Sequence, residues 1–217
     1  MKKKTVALLL ACVMALGVAI GGTMAWLVDS TGEVKNTFTV GDINITLTET
    51  GTDTSGNKNY DFVPGDNKVK DPKVTVTAAS EACYLFVKVD VANNSRTDGA
   101  VTVDSIVDWA IAGGWTAYGS VADAPKNGTY YYYRTVAKGE GADGFQILKC
   151  MDDTHDSTCT GCVDLSADVT KGMVNAINTT ATQPTLSFQA AAVQLDHVAD
   201  ADSAWEKLPA SFKPATP

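Results

Sequence analysis

The sequence predicts an all-β protein, an antiparallel β-sandwich with a few short helices, preceded by a cleaved signal peptide. Three observations predict it. Apolar and polar residues alternate with period two in several short stretches, most clearly over 84–91, where Leu85, Val87, Val89 and Val91 face one way and Tyr84, Phe86, Lys88 and Asp90 the other. Thr, Val, Gly, Asp and Asn are frequent, and long Leu/Glu/Lys stretches are absent, which favours strands and turns over helices. The strand-like stretches follow one another without the spacing that βαβ units require.

The elements follow in chain order. Lys2, Lys3 and Lys4 precede an apolar run at 5–20, and Gly21, Gly22, Thr23, Met24 and Ala25 are mostly small. That is the three-part layout of a secretory signal. The run stops short of the roughly 20 apolar residues a bilayer-spanning helix needs. Thr23 and Ala25 fit the small −3 and −1 positions, so cleavage is expected after Ala25, with Trp26 as the second choice. The chain thus divides into a signal peptide (1–25), an extended N-terminal segment (26–40) and a β-sandwich domain (41–217). The segment is polar with apolar Leu27, Val28, Val34 and Phe38. It reads either as a loose terminus or as a strand that can be added to a sheet.

In the body, 42–48 alternates Ile43, Ile45 and Leu47 against Asn44, Thr46 and Thr48, a half-buried strand. A polar loop at 50–59 and a turn at 62–66, built on Pro64-Gly65, lead into a strand at 69–77 whose start Pro72 confines to an edge or bend. Asn93-Asn94-Ser95 ends the 84–91 strand. Residues 101–107 form a short strand or turn, and Gly113-Gly114 bends the chain between Trp109, Ile111 and Trp115. Asn127-Gly128 is a tight-turn signal opening a strand at 129–136. Its run Tyr130 to Tyr133 reads as packing more readily than as a stacking surface. One further strand is expected at 144–150, a polar loop at 151–161, and a short helix or connection at 169–177. The strand at 185–195 sets Phe188, Ala190 and Ala192 opposite Gln189, Ala191 and Val193, and its small residues would let another backbone approach closely. One or two helical turns at 202–208 end near Pro209.

Composition bounds the function. Cleavage after Ala25 would leave 192 of the 217 residues, enough for one sizeable core. It would move the net charge from −8 to −11, because the signal carries three lysines and no acid. Such an acidic surface disfavours nucleic acid and anionic membrane as partners, so membrane contact is expected only during export.

Cys12 leaves with the signal, and Cys83, Cys150, Cys159 and Cys162 remain, an even number that permits disulfides in an exported chain. The compact set Cys150, His155, Cys159 and Cys162 fits tetrahedral structural zinc in ligand type. It fits equally a disulfide-pinned loop, with Cys150 or Cys83 bridging one of the Cys159/Cys162 pair, or free thiols. The neighbouring Asp152, Asp153 and Asp156 read as solvated charges, as does His197 beside Asp196 at a strand end. There is no His-Glu-x-x-His, no nucleophile elbow and no phosphate-cradling glycine loop. No catalytic residue is assigned, and no cofactor is expected beyond that candidate structural zinc.

Gly22-Thr23-Met24-Ala25-Trp26, then Asp29, Asn36-Thr37-Phe38 and Gly41, with Val63-Pro64-Gly65-Asp66 and Lys70-Asp71-Pro72 further on, resemble the TasA/camelysin family. Weaker likeness recurs at 189–194 and at Ala204-Trp205. The resemblance implies a jelly-roll-like sandwich, maturation by a SipW-type signal peptidase, and secretion to the extracellular matrix or cell surface. It further implies biofilm matrix fibres, homopolymers built by N-terminal strand donation, in which Leu27, Val34 and Phe38 would set the register. Camelysin relatives are labelled metalloproteases, so an enzymatic alternative would be a metallopeptidase relying on His155. A third alternative is a monomeric surface module that stacks glycans on Trp109, Trp115 and Tyr130 to Tyr133.

Overall fold

The stretch with the clearest alternation, 84–91, lies within one of the two longest strands. The computed structural model describes residues 28–31, 43–53, 56, 59–61, 63–121, 124–151, 161–177 and 182–214. Among them the chain runs β1 (Val28–Thr31), β2 (Ile45–Thr48), β3 (Asn67–Val69), β4 (Lys73–Val76), β5 (Cys83–Ala92), β6 (Arg96–Asp98), β7 (Val101–Val103) and β8 (Val107–Asp108). It continues through β9 (Ala110–Ile111), β10 (Thr116–Tyr118), β11 (Gly128–Val136), β12 (Phe145–Gln146), β13 (Leu148–Lys149), β14 (Cys162–Leu165), helix α1 (Lys171–Ala176), β15 (Thr185–Gln194) and helix α2 (Ala201–Lys207). The protein is all-β, with several antiparallel sheets and few helices.

The largest sheet has the order β1-β15-β5-β11-β10. Its centre is β5, which pairs along its whole length with β15 (Thr185↔Ala92 to Gln194↔Cys83) and with β11 (Gly128↔Val91 to Val136↔Cys83). One face carries Leu85, Val87 and Val89 of β5, Tyr130 and Tyr132 of β11, and Ala190 and Ala192 of β15. These share a core with Ile45, Val74 and Val76 of the three-stranded sheet β12-β4-β2.

Of the face of β5 that carries Tyr84, Phe86, Lys88 and Asp90, Phe86 is fully buried and the others are half-buried. The C-terminal segment folds back across this face, so Phe86, Tyr131, Ala191 and Val193 pack with Ala204, Leu208 and Phe212. Trp205 reaches into the same layer, stacked on Tyr118 at 4.4 Å and edge-on to Tyr131 at 4.9 Å. Helix α2 begins where the Asp200 side chain accepts the Ser203 N–H at 2.8 Å. That bond holds the Asp200 carboxyl below its ordinary range. The helix stops at Leu208, whose extended backbone is what a following proline imposes.

Two predicted strands are broken in two. The stretch 69–77 starts on the last residue of β3, is interrupted at Lys70, Asp71 and Pro72 and resumes as β4, with β3 pairing to β14 and β4 to β2 and β12. The stretch 144–150 divides into β12 and β13, which join different sheets. Ile147 is the pivot: its N–H donates to Pro72 O at 2.9 Å and its carbonyl accepts from Ala112 N at 2.8 Å. Proline supplies no N–H of its own, so a strand passing it changes partners.

The ambiguous stretch 169–177 contains α1, capped by Thr170, whose hydroxyl accepts the Met173 N–H. Met173 packs into a satellite core with Val103, Ile106, Val169 and Ile177. At the rim of the fold, buried Asn94 cross-ties three segments. Its amide donates to Val107 O and Pro125 O, its side-chain oxygen accepts Val107 N–H, and its own N–H bonds to the Asn127 side chain.

Candidate functional site

The strand-addition expectation leads to one edge of the large sheet. β1 lies there against β15, with Val28 opposite Val193, Asp29 opposite Ala192, Ser30 opposite Ala191 and Thr31 opposite Ala190. The small side chains of Ala190, Ala191 and Ala192 are fully buried, so β15 sits deep between the layers that cover it. Leu27, Val34 and Phe38, named as register-setting residues, lie outside the described residues, as do the cleavage positions Thr23, Ala25 and Trp26.

The cysteine cluster resolves in part. Cys150 and Cys162 form a disulfide that ties the chain after β13 to the first residue of β14. Their sulfurs are therefore bonded to each other, and a zinc site drawing on both thiolates does not form while the bond stands. His155 and Cys159 lie outside the described residues. Among the described residues no group of three or more His, Cys, Asp or Glu is placed to hold a metal ion. Cys83, a candidate disulfide partner, is instead a free thiol buried at the start of β5. Burial pushes its pKa up from 9.0 to about 12. His197 is exposed just past β15, with a left-handed φ of 66° that His tolerates better than most residues.

Five of the six aromatic residues proposed to stack glycans are committed to the interior. Trp109, Trp115, Tyr130, Tyr131 and Tyr132 are all buried. Trp109 meets Tyr130 and Tyr132 edge-on, at 5.8 and 6.5 Å. Trp115 donates its indole N–H to Gln146 O at 2.8 Å and so ties β12 to the loop before β10. Burial drives the Tyr131 and Tyr132 phenols up to about 12. These five rings hold the sheets together, while Tyr133, the last of the run, is half-buried.

Two features were not singled out in the sequence. The first is an ion pair between Lys70 and Glu49, with Nζ 2.9 Å from one carboxylate oxygen and 3.2 Å from the other, and both side chains almost wholly buried. The Tyr60 hydroxyl donates to the same carboxylate at 2.7 Å. Burial, then that bond, raises the Tyr60 pKa far above the usual phenol range. Lys70 Nζ also lies over the rings of Phe188 and Tyr60, at 5.2 and 5.7 Å. Lys70 and Glu49 are 21 positions apart, and no local spacing marks them as partners. The second is a cleft of about 530 Å³ between β10 and the start of α2, lined by Tyr118, Tyr133, Asp200 and Asp202. Its acids are already engaged: Asp200 caps α2, and Asp202 bonds the Tyr118 hydroxyl; burial, then that bond, lifts the phenol to about 12.

Comparison of the chain with known protein families, with curated proteins and with solved structures returns no match.

Proposed function

We propose that the chain is an exported structural subunit, cut near Ala25, that polymerises into extracellular matrix fibres by passing its N-terminal strand to a neighbour. The observation that carries this reading is the position of β1. It begins three residues after the expected cleavage point and pairs only at the outer edge of β15, through a four-residue register. Residues 32–42 separate it from the body. An extended chain of that length spans up to about 37 Å, ample for β1 to leave its own sheet and reach the same edge of another copy. Main-chain hydrogen bonds would supply the affinity, since the register they satisfy is identical in cis and in trans.

The resemblance to the TasA/camelysin family supports the same reading and adds the jelly-roll-like sandwich, the SipW-type peptidase and the biofilm matrix. The negative charge of the mature chain suits a protein that must stay soluble until its strand is freed. Electron microscopy tests it, comparing the chain that starts at Trp26 with one lacking 26–40. Filaments from the first and folded monomers from the second are expected. Filaments from both would exclude strand donation, and monomers from both would exclude the fibre.

A further inference from the structure

The chain contains only two arginines, Arg96 and Arg134. Arg96 is spent on structure: its guanidinium donates to Ser95 O at 3.0 Å and Thr182 O at 2.6 Å. Arg134 is different. It projects from β11 at the side of the fold where the large sheet ends in β10 and the small sheet ends in β12, opposite the β1 side. Its guanidinium lies 3.6 Å from the centre of the Phe145 ring, on β12, and 5.3 Å from that of Trp115, just before β10. Gly114, at φ +84°, leaves room for its terminal nitrogens, which an added Cβ there would meet at 3.2 and 3.4 Å.

Among the described residues no carboxylate is within ion-pair distance of it, no bond uses its donors, and its Nε–H is buried without a partner. The nearest acid in sequence, Glu140, turns its carboxylate to the Ala137 N–H. A guanidinium carries five N–H donors, and burying one without a partner is costly. Desolvation accordingly lowers the Arg134 pKa, and the more distant Glu140 only partly offsets it.

We propose that Arg134, held by Trp115 and Phe145 at the β10–β12 seam, is a binding site for a carboxylate. The aromatic rings fix the plane of the guanidinium, and its two terminal nitrogens form a planar fork that a planar carboxylate matches with two parallel bonds. The Glu140 charge nearby favours a single negative charge over a phosphate dianion. The carboxylate belongs either to a small acid or to an Asp or Glu of a second copy, of which this acidic chain has many. The proposal stands independently of the strand-exchange reading, because it concerns the opposite side of the sheet.

The test uses the arginine side-chain Nε–H signals of the 15N-labelled protein, of which there are two, assigned by Arg134→Lys. The expected result is a saturable shift of the Arg134 signal with sodium acetate that equal concentrations of sodium chloride do not produce, with Arg96 unmoved. Phosphate is expected to bind more weakly than acetate. In Arg134→Lys the Trp115 indole N–H is followed instead. Loss of the two-bond fork is expected to raise the acetate midpoint about tenfold while the rest of the spectrum reports an unchanged fold. A dilution series separates the sources. A signal that moves towards its free position on dilution identifies a second copy's carboxylate, and one that ignores dilution but follows acetate identifies a small acid. No shift with acetate, or parallel linear drift of Arg96 and Arg134 with ionic strength, overturns the site.

Discussion

β15 has two neighbours, and they differ in kind. On one side β5 pairs with it over ten residues, from Thr185↔Ala92 to Gln194↔Cys83, and every β5 residue from Leu85 to Val87 is fully buried. On the other side β1 pairs over four residues, from Val28↔Val193 to Thr31↔Ala190, and is tethered through 32–42. Both pairings are antiparallel, and both use the same Ala-rich stretch. The difference teaches which contacts define the body and which are an addition to it. Removing β5 would dismantle two cores, one on each face of the sheet. Removing β1 would take away one four-residue ladder at the edge of the sheet.

The sharpest way to break this contrast is to set a core truncation against a strand deletion. Phe86 lies at the middle of the layer covered by Trp205 and Phe212, with no exposed surface. Phe86→Ala is expected to cost about 3–5 kcal/mol, lowering Tm by about 10 °C in a chain of this size. Deletion of 26–40 is expected to lower Tm by much less in the monomer. Calorimetry on the two variants decides: a larger loss from the deletion would make β1 part of the body, and exchange between copies would then be too costly.

The sequence was most legible where one physical rule acted alone. Alternation in 84–91 located β5, and the small residues of 185–195 marked the strand against which another backbone does lie. It was least legible where a distant segment decided the outcome. Nothing in 84–91 announces that Phe86 is covered as deeply as Leu85, because the cover comes from Phe212, more than a hundred residues on. The breaks at Lys70–Pro72 and Ile147 depend on each other through one hydrogen bond, so neither is visible in its own stretch. At the candidate sites, cysteine spacing narrowed the options without choosing among them. Arg134 could have been found by counting, since an acidic chain with two arginines has few ways to bury a guanidinium. That its donors are unmet could not.

The disulfide sharpens the contrast from a third position. Cys150 and Cys162 are 12 residues apart, and β14 pairs with β3 and β8, away from β15. Closing a loop of that length restricts the unfolded chain by about 3 kcal/mol. The double variant Cys150→Ser/Cys162→Ser is therefore expected to unfold more easily by about that amount, read from the denaturant midpoint. Native hydrogen exchange should speed up first at Val163, Asp164 and Leu165. Equal acceleration along β15 would mean that the small sheets and the large one open together.

The smallest effect to look for is at Cys83, where β5, β11 and β15 all end their register. Its thiol is buried and its pKa is raised from 9.0 to about 12, so the folded state holds the proton where the unfolded chain would release it. The sign follows. This contribution to stability is fully present below pH 9 and is lost as pH rises from about 9 towards 12. At pH 8 the native thiol is both covered and protonated, so alkylation by iodoacetamide must wait for the end of β5 to open. Peptide mapping of Cys83 alkylation is expected to give the same slow rate in the full chain and in the form lacking 26–40, because β1 pairs with residues 190–193 and stops short of Gln194, the partner of Cys83. A rate that rises when β1 is removed would mean that the outer strand clamps the β5–β15 pairing, and the two sides of β15 would then be one cooperative unit.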